Sequence, residues 1–214
     1  MFNILFYGDS NTWGFDPVTC GRYPYEKRWT SICAQILGPD YNCIASGMNG
    51  RTTAFDDPIK GSRNGTAGLD YALQTHKPLD LIVVMLGTND LKFTDASGSA
   101  GGMEKLIRQI VTANERYNLS SPVFDISPGM PNPVLLISPV LVEGKLNDSI
   151  IIDEVTESRK LAGLYAEIAD RNHTYFMDAA VLTNPSETDG IHLDTAGHEI
   201  IGKAAAEKII SLLH

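Results

Sequence analysis

The chain has no long apolar run, few cysteines and a shortage of basic residues. No stretch approaches the roughly 18 apolar residues that a membrane-spanning helix needs. The N-terminal segment from Met1 is apolar for about six residues with no basic segment ahead of it, which is too short for a secretory signal. Together these two absences predict a cytoplasmic protein with no membrane partner. Against 26 Asp and Glu stand only 17 Lys and Arg, a net charge of −9. Nucleic acid and anionic membrane surfaces both require a basic footprint, so neither is expected as a partner. A carbohydrate or a small neutral ester stays open. The three cysteines, Cys20, Cys33 and Cys43, are odd in number and lack CxxC spacing, so reduced thiols are expected rather than a disulfide framework. Repeats, low-complexity tracts and linker-like stretches are also missing. Residues 1–214 therefore read as one domain, long enough to bury a sizeable core from its 43% hydrophobic content.

What is present is an alternation. Phe2 to Tyr7, Asp80 to Leu86 and Pro133 to Ile137 are short apolar runs that end in glycine or Ser-Pro. Such runs suit strands buried on both faces of a parallel sheet. Weaker strands are expected at Asn42–Ala45 and Thr174–Met177. Helical spacing is expected at Arg28–Leu37, Thr66–Thr75, Gly102–Tyr117 and Asp153–Asn172, and Thr195 is the expected N-cap of a last helix reaching Leu213. About five strand-helix repeats predict an α/β fold: a three-layer α/β/α sandwich around a central, mostly parallel five-stranded sheet, flavodoxin-like in organisation. Sites in such folds lie at the carboxyl ends of the strands. The stretch Asn118–Asn132, with three Pro and a Gly, is too long for an ordinary connection. A pocket wall, a subunit contact and a plain surface excursion all suit it.

Polar clusters follow the strands where chemistry would sit. Gly8-Asp9-Ser10-Asn11 places a hydroxyl in a strand-to-helix turn, where main-chain N–H groups favour developing negative charge. Gly8 is expected to permit the turn. A serine hydroxyl is a poor nucleophile at neutral pH; it needs a base, and the base needs an acid to hold it. Asp189-Gly190-Ile191-His192 offers both, since a carboxylate three residues before an imidazole can bend back to its Nδ1 and leave Nε2 free. Gly87-Thr88-Asn89-Asp90 ends the strongest strand, and the Asn89 amide is a neutral donor for an oxyanion. Gly47 to Thr53, with Asn49, Gly50 and Arg51, follows the second strand. Singly, each cluster also suits a turn, a helix cap, a surface pair or half a metal site.

Jointly and in this order they resemble the SGNH (GDSL-type) hydrolase superfamily. Ser10, Gly50, Asn89 and His192 match its four motif residues, with Asp189 ahead of the last. The stretches 8–14, 28–29, 50–53, 56–58 and 85–90 are similar to the small arylesterase and acyltransferase (perhydrolase) branch. Asn49 departs from it, standing where that branch has Ser, and so does the segment after Asp90. The resemblance implies a serine ester hydrolase without metal or cofactor, acting on a small-molecule ester. Ser10, His192 and Asp189 would be catalytic. The Ser10 and Gly50 main-chain N–H groups and the Asn89 amide would form the oxyanion hole. Asp9, Asn11, Trp13, Asn49 and Arg51 are candidate substrate contacts, with a core role weighed for Trp13 and a structural ion pair for Arg51. The resembling branch forms oligomers, which makes a homo-oligomer an expectation here.

Rival readings are a flavodoxin-like phosphate- or cofactor-binding module using Ser10, Asn11 and Thr12, and a metal-dependent phosphoesterase using Asp9, Asp90 and His192. An inactive scaffold is a third. His76, His173, His198 and His214 match no motif and are expected to be structural or at the surface.

Overall fold

The computed structural model describes residues 1–116, 121–124, 131–146 and 153–213. Its elements run β1 (Phe2–Gly8), α1 (Ser10–Trp13), β2 (Phe15–Asp16), β3 (Gly21–Arg22), α2 (Trp29–Leu37), β4 (Tyr41–Gly47), α3 (Gly65–His76) and β5 (Leu81–Met85). They continue with α4 (Ala96–Val111), α5 (Ala113–Arg116), β6 (Val134–Ser138), α6 (Glu154–Arg171), β7 (Tyr175–Asp178) and α7 (Thr195–Leu213). Single 3₁₀ turns precede α2 and follow β5. Five strands form one sheet in the order β4-β1-β5-β6-β7. All four pairings are parallel, so the sheet is more uniform than the expected mostly parallel one. β2 and β3 make a separate two-residue antiparallel ribbon.

The pleat sorts each strand's residues to opposite faces. Leu5, Tyr7, Ile82, Val84 and Leu136 meet α3, α4 and α6 on one side. Ile4, Phe6, Leu81, Val83, Met85, Leu135 and Ile137 meet α2 and α7 on the other. Nearly all are fully buried. Fully burying one such aliphatic or aromatic side chain contributes roughly 1.5–3 kcal/mol. This two-sided demand explains why the strands read as unbroken apolar runs.

Some local expectations shift. The last helix is capped by Asp194 rather than Thr195: its Oδ1 accepts from Gly197 N at 2.7 Å. An Asp carboxylate also suits the positive end of the helix better than a hydroxyl. Helix α4 begins at Ala96, six residues before the start expected at Gly102, because Asp95 caps it through Gly98 N. Its glycine-rich first turns hide the apolar pattern. Much of 118–132, and Tyr117, lies outside the described residues. Within that stretch, Val123 and Phe124 are buried and Phe124 bridges to Leu79. The cysteines are free thiols, and burial raises the thiol pKa of Cys33 and Cys43. No helix among the described residues is long and apolar enough to cross a membrane.

Candidate active site

The carboxyl ends of β1, β4 and β5 open onto one cleft of about 230 Å³. Ser10 enters it from the first turn of α1. Gly8, the last residue of β1, keeps that turn close to the sheet: a Cβ there would lie 2.0 Å from Thr12 Oγ1 and 2.8 Å from Met85 O. Close approach is thus what the position requires, rather than the turn conformation expected from sequence. Asp9 caps α1 by accepting from Asn11 N at 3.0 Å. Its carboxyl is buried, and burial pushes its pKa up to about 6, against the pull of the Asn11 N–H and of nearby His192 and Lys92.

His192 arrives from the other end of the chain on a tightly tethered loop. Asp189 Oδ1 accepts from the main-chain N–H of Ile191 and of His192, each at 3.0 Å. Gly190 sits at φ +67, in the left-handed region that glycine adopts without strain, and a Cβ there would strike Gly144 N at 2.3 Å. Its carbonyl accepts from Glu143 N and Gly144 N. Asn11 holds the far side: its Oδ1 accepts from Leu193 N at 2.9 Å and its Nδ2 donates to Ile191 O at 3.4 Å. The loop so held brings His192 Nδ1 to 2.6 Å from Asp189 Oδ2 and His192 Nε2 to 2.9 Å from Ser10 Oγ. Partial burial raises the Asp189 carboxyl pKa, but the hydrogen bonds and charge of His192 bring it below its ordinary value. The Phe15 ring packs on the imidazole at 4.3 Å between centroids.

Asn89 lies in the 3₁₀ turn after β5. Its Oδ1 accepts from Lys92 Nζ at 2.6 Å, which fixes the amide so that Nδ2 is the donor on the other side, reaching Arg51 O at 3.2 Å and Asp9 Oδ2 at 3.5 Å. Beneath it, Asp90 is wholly buried and accepts from Thr53 N and Thr53 Oγ1. Burial pushes its carboxyl up to about 7 despite those bonds. Asn49 and Gly50 line the cleft beside Asn89. Among the described residues, neither the Ser10 nor the Gly50 main-chain N–H finds an acceptor.

The structure therefore brings together Ser10, Gly50, Asn89 and His192 in the cleft, with Asp189 behind the imidazole. Of the five candidate substrate contacts, only Asn49 lines the cleft among the described residues. Asp9 and Asn11 are buried and hold backbone. Arg51 is buried too. It donates to the Gly8 and Ser46 carbonyls and lies 4.0 Å over the Tyr7 ring, so it clamps β1 to β4, and among the described residues it makes no ion pair of the kind weighed from sequence. Trp13 faces Arg22, whose guanidinium stands 4.7 Å over its ring, and is not a cleft wall. Phe15, Ile191 and Leu146, with Asp57, Lys60, Arg63 and Lys92, line the cleft without having been named as site residues. Ile191 and Asp57 lay inside the stretches that carry the resemblance, and Lys92 lies three residues after Asn89 in the same turn.

Comparison with known proteins agrees with this geometry. The model of the GDSL-like lipase/acylhydrolase family matches residues 6–200. Among solved structures, an aryl esterase from M. smegmatis is 34% identical over the whole of both chains, with a TM-score of 0.88. A carbohydrate acetylesterase from Sinorhizobium meliloti is also 34% identical over both full chains, at 0.89. A member of the lipolytic G-D-S-L family from Veillonella parvula, 18% identical at a TM-score of 0.65, shares the fold. Among curated proteins, none matches. The chain belongs to the GDSL-like lipase/acylhydrolase family and is a serine esterase.

Proposed function

We propose that this esterase hydrolyses short-acyl, acetyl-like carboxylic esters through a Ser10–His192–Asp189 triad and a covalent acyl-enzyme. The unbroken hydrogen-bonded line from Asp189 Oδ2 through the imidazole to Ser10 Oγ, at 2.6 and 2.9 Å, carries the reading. In the tautomer that satisfies both contacts, Nδ1–H donates to Asp189 and Nε2 accepts from the Ser10 hydroxyl. His192 then takes the Ser10 proton as the oxygen attacks the ester carbonyl, and returns it to the leaving alcohol. The Ser10 and Gly50 main-chain N–H groups and the Asn89 amide meet the developing oxyanion. The two unengaged main-chain donors support that assignment. Water resolves the acyl-enzyme by the same steps in reverse, and a second alcohol in its place gives acyl transfer.

The small cleft supports a short acyl group, and the names of the aryl and acetyl esterase neighbours point the same way. The family match from residue 6 to 200 supports reading 1–214 as one hydrolase domain. The two binding and metal rivals leave the Asp189–His192–Ser10 line without a purpose. The metal-dependent rival also needs Asp9 and Asp90 as ligands, whereas both carboxylates are buried and engaged by protein N–H groups. Hydrolysis of 4-nitrophenyl acetate is the direct test. Wild type is expected to turn over, Ser10→Ala to lose nearly all turnover, and activity to fall as the acyl chain lengthens. A Ser10→Ala protein that keeps most of its activity would overturn the mechanism.

A further inference from the structure

The cleft is a cationic spot on an acidic protein. Lys60, Arg63 and Lys92 all line it, and Asp57 is the one carboxylate that does so among the described residues. Asp57 Oδ1 is occupied by the main-chain N–H groups of Ile59 and Lys60. The overall charge of −9 makes this local excess of positive charge the reverse of the surroundings.

The cations also crowd one another. Lys60 lies close enough to Lys92 to oppose its charge, added to the larger effect of burial, while Asp9, Asp57 and Glu154 partly offset it. Arg63 does the same to the buried Arg51 behind the wall, again after burial. Arg63 donates to the Asn49 carbonyl, its Nε is sealed from solvent without an acceptor, and no described carboxylate lies within ion-pairing distance of it or of Lys60. Half-enclosed like charges cost stability unless an anion offsets them. Among the described residues Asp57 alone enters the cleft against three cations, which leaves a place for an anion carried by the ligand.

We propose, resting on the esterase reading above, that the preferred substrate is an ester carrying a carboxylate or similar anion, which Lys60 and Arg63 receive while Ser10 attacks the ester carbonyl. The fixed negative charge is the recognised chemistry. It can be carried on the acyl group or on the leaving group, and the test separates the two.

The experiment compares matched esters at low salt. The acyl arm sets the monophenyl ester of glutaric acid against phenyl pentanoate. The leaving-group arm sets 4-acetoxybenzoate against 4-acetoxybenzamide. Each kcat/KM is divided by the ester's own rate with hydroxide. Wild type is expected to favour the anionic member by about tenfold or more in one arm, which identifies the charged side. That preference is expected to shrink severalfold in Lys60→Gln, to invert in Lys60→Glu and to shrink as salt screens the charges. Lys60 is exposed, so these variants keep the fold. Anionic-to-neutral ratios at or below one in both arms, or a preference that Lys60→Glu leaves untouched, would overturn the inference. Hydrolysis of the neutral esters with no anionic preference would sink only this inference. Failure on all four esters would sink the esterase reading itself.

Discussion

Two histidines six residues apart show how surroundings, and not side-chain identity, decide what an imidazole can do. His192 stands on the loop before α7 at the cleft, with Asp189 at Nδ1 and Ser10 at Nε2. His198 lies in the first turns of α7 and is completely buried. Its Nδ1 accepts from Trp29 N at 3.2 Å, the Tyr23 ring meets it edge-on, and its Nε2 has no partner among the described residues. Burial pushes its pKa down to about 4, an effect that Asp194 only partly opposes. One ring lies between a carboxylate and a hydroxyl, where the proposed mechanism has it take and return a proton. The other is kept neutral and works as an acceptor that ties α7 to the start of α2.

Breaking the first environment is expected to cost the most. His192→Ala should lose turnover on the order of 10⁶-fold, as when the base of a serine hydrolase is removed. His198→Asn, whose Oδ1 can still accept from Trp29 N, should keep most of its turnover. Steady-state kinetics on 4-nitrophenyl acetate checks both, and equal losses in the two variants would erase the contrast. Asp189→Asn is the next largest, about 10⁴-fold in kcat, because the amide no longer selects the tautomer that leaves Nε2 as acceptor. Asn89→Ala should follow at about 10²–10³-fold in kcat, about 3–4 kcal/mol, as expected for one oxyanion donor.

The smallest effect sharpens the second environment. His198 has a folded-state pKa of about 4 against an ordinary value near 6.5. Below pH 6.5 the unfolded chain takes up a proton that the folded protein refuses. Stability contributed by the neutral ring is therefore full above pH 6.5 and is lost as pH falls toward 4, with a slope of at most about 1.4 kcal/mol per pH unit. Asp9 and Asp90 act in the opposite sense. Their raised values, about 6 and 7, give stability that is full below the ordinary carboxylate range and lost as pH rises through those values. Denaturant melts of wild type and His198→Asn across pH 4–7 isolate the histidine, because both proteins keep the two carboxyls. The difference between them should narrow on acidification. A constant difference would mean that His198 is protonated in the folded state.

Much of this was legible in the sequence, for physical reasons that differ by position. The strands showed because burial on both faces demands unbroken apolar residues, as in Leu81–Met85. Ser10, Asn89, Asp189 and His192 stood out because the proposed chemistry would fix residue type and order, and the fold brings them together at the cleft. The supporting residues were harder to read. Asn11 looked like a ligand contact and instead ties down the His192 loop, a role that depends on residues 180 positions away. Arg51 looked like an ion-pair partner, yet its partners are carbonyls and a ring face, which leave no trace in sequence. Phe15, Lys60 and Arg63 come to the cleft only through the fold's loop geometry. The start of the helix at Ala96 was missed because Ser97, Gly98, Gly101 and Gly102 weaken the helical signal that the Asp95 cap and buried Met103 and Leu106 restore.

The central claim is that Ser10 carries the acyl group after His192 has taken its proton. Intact-protein and peptide mass spectrometry after treatment with a fluorophosphonate reads this directly. The account predicts a single adduct on the Ser10 peptide, absent from Ser10→Ala and formed far more slowly in His192→Ala than in His198→Asn. An adduct on another residue, or Ser10→Ala labelled at the wild-type rate, would contradict it.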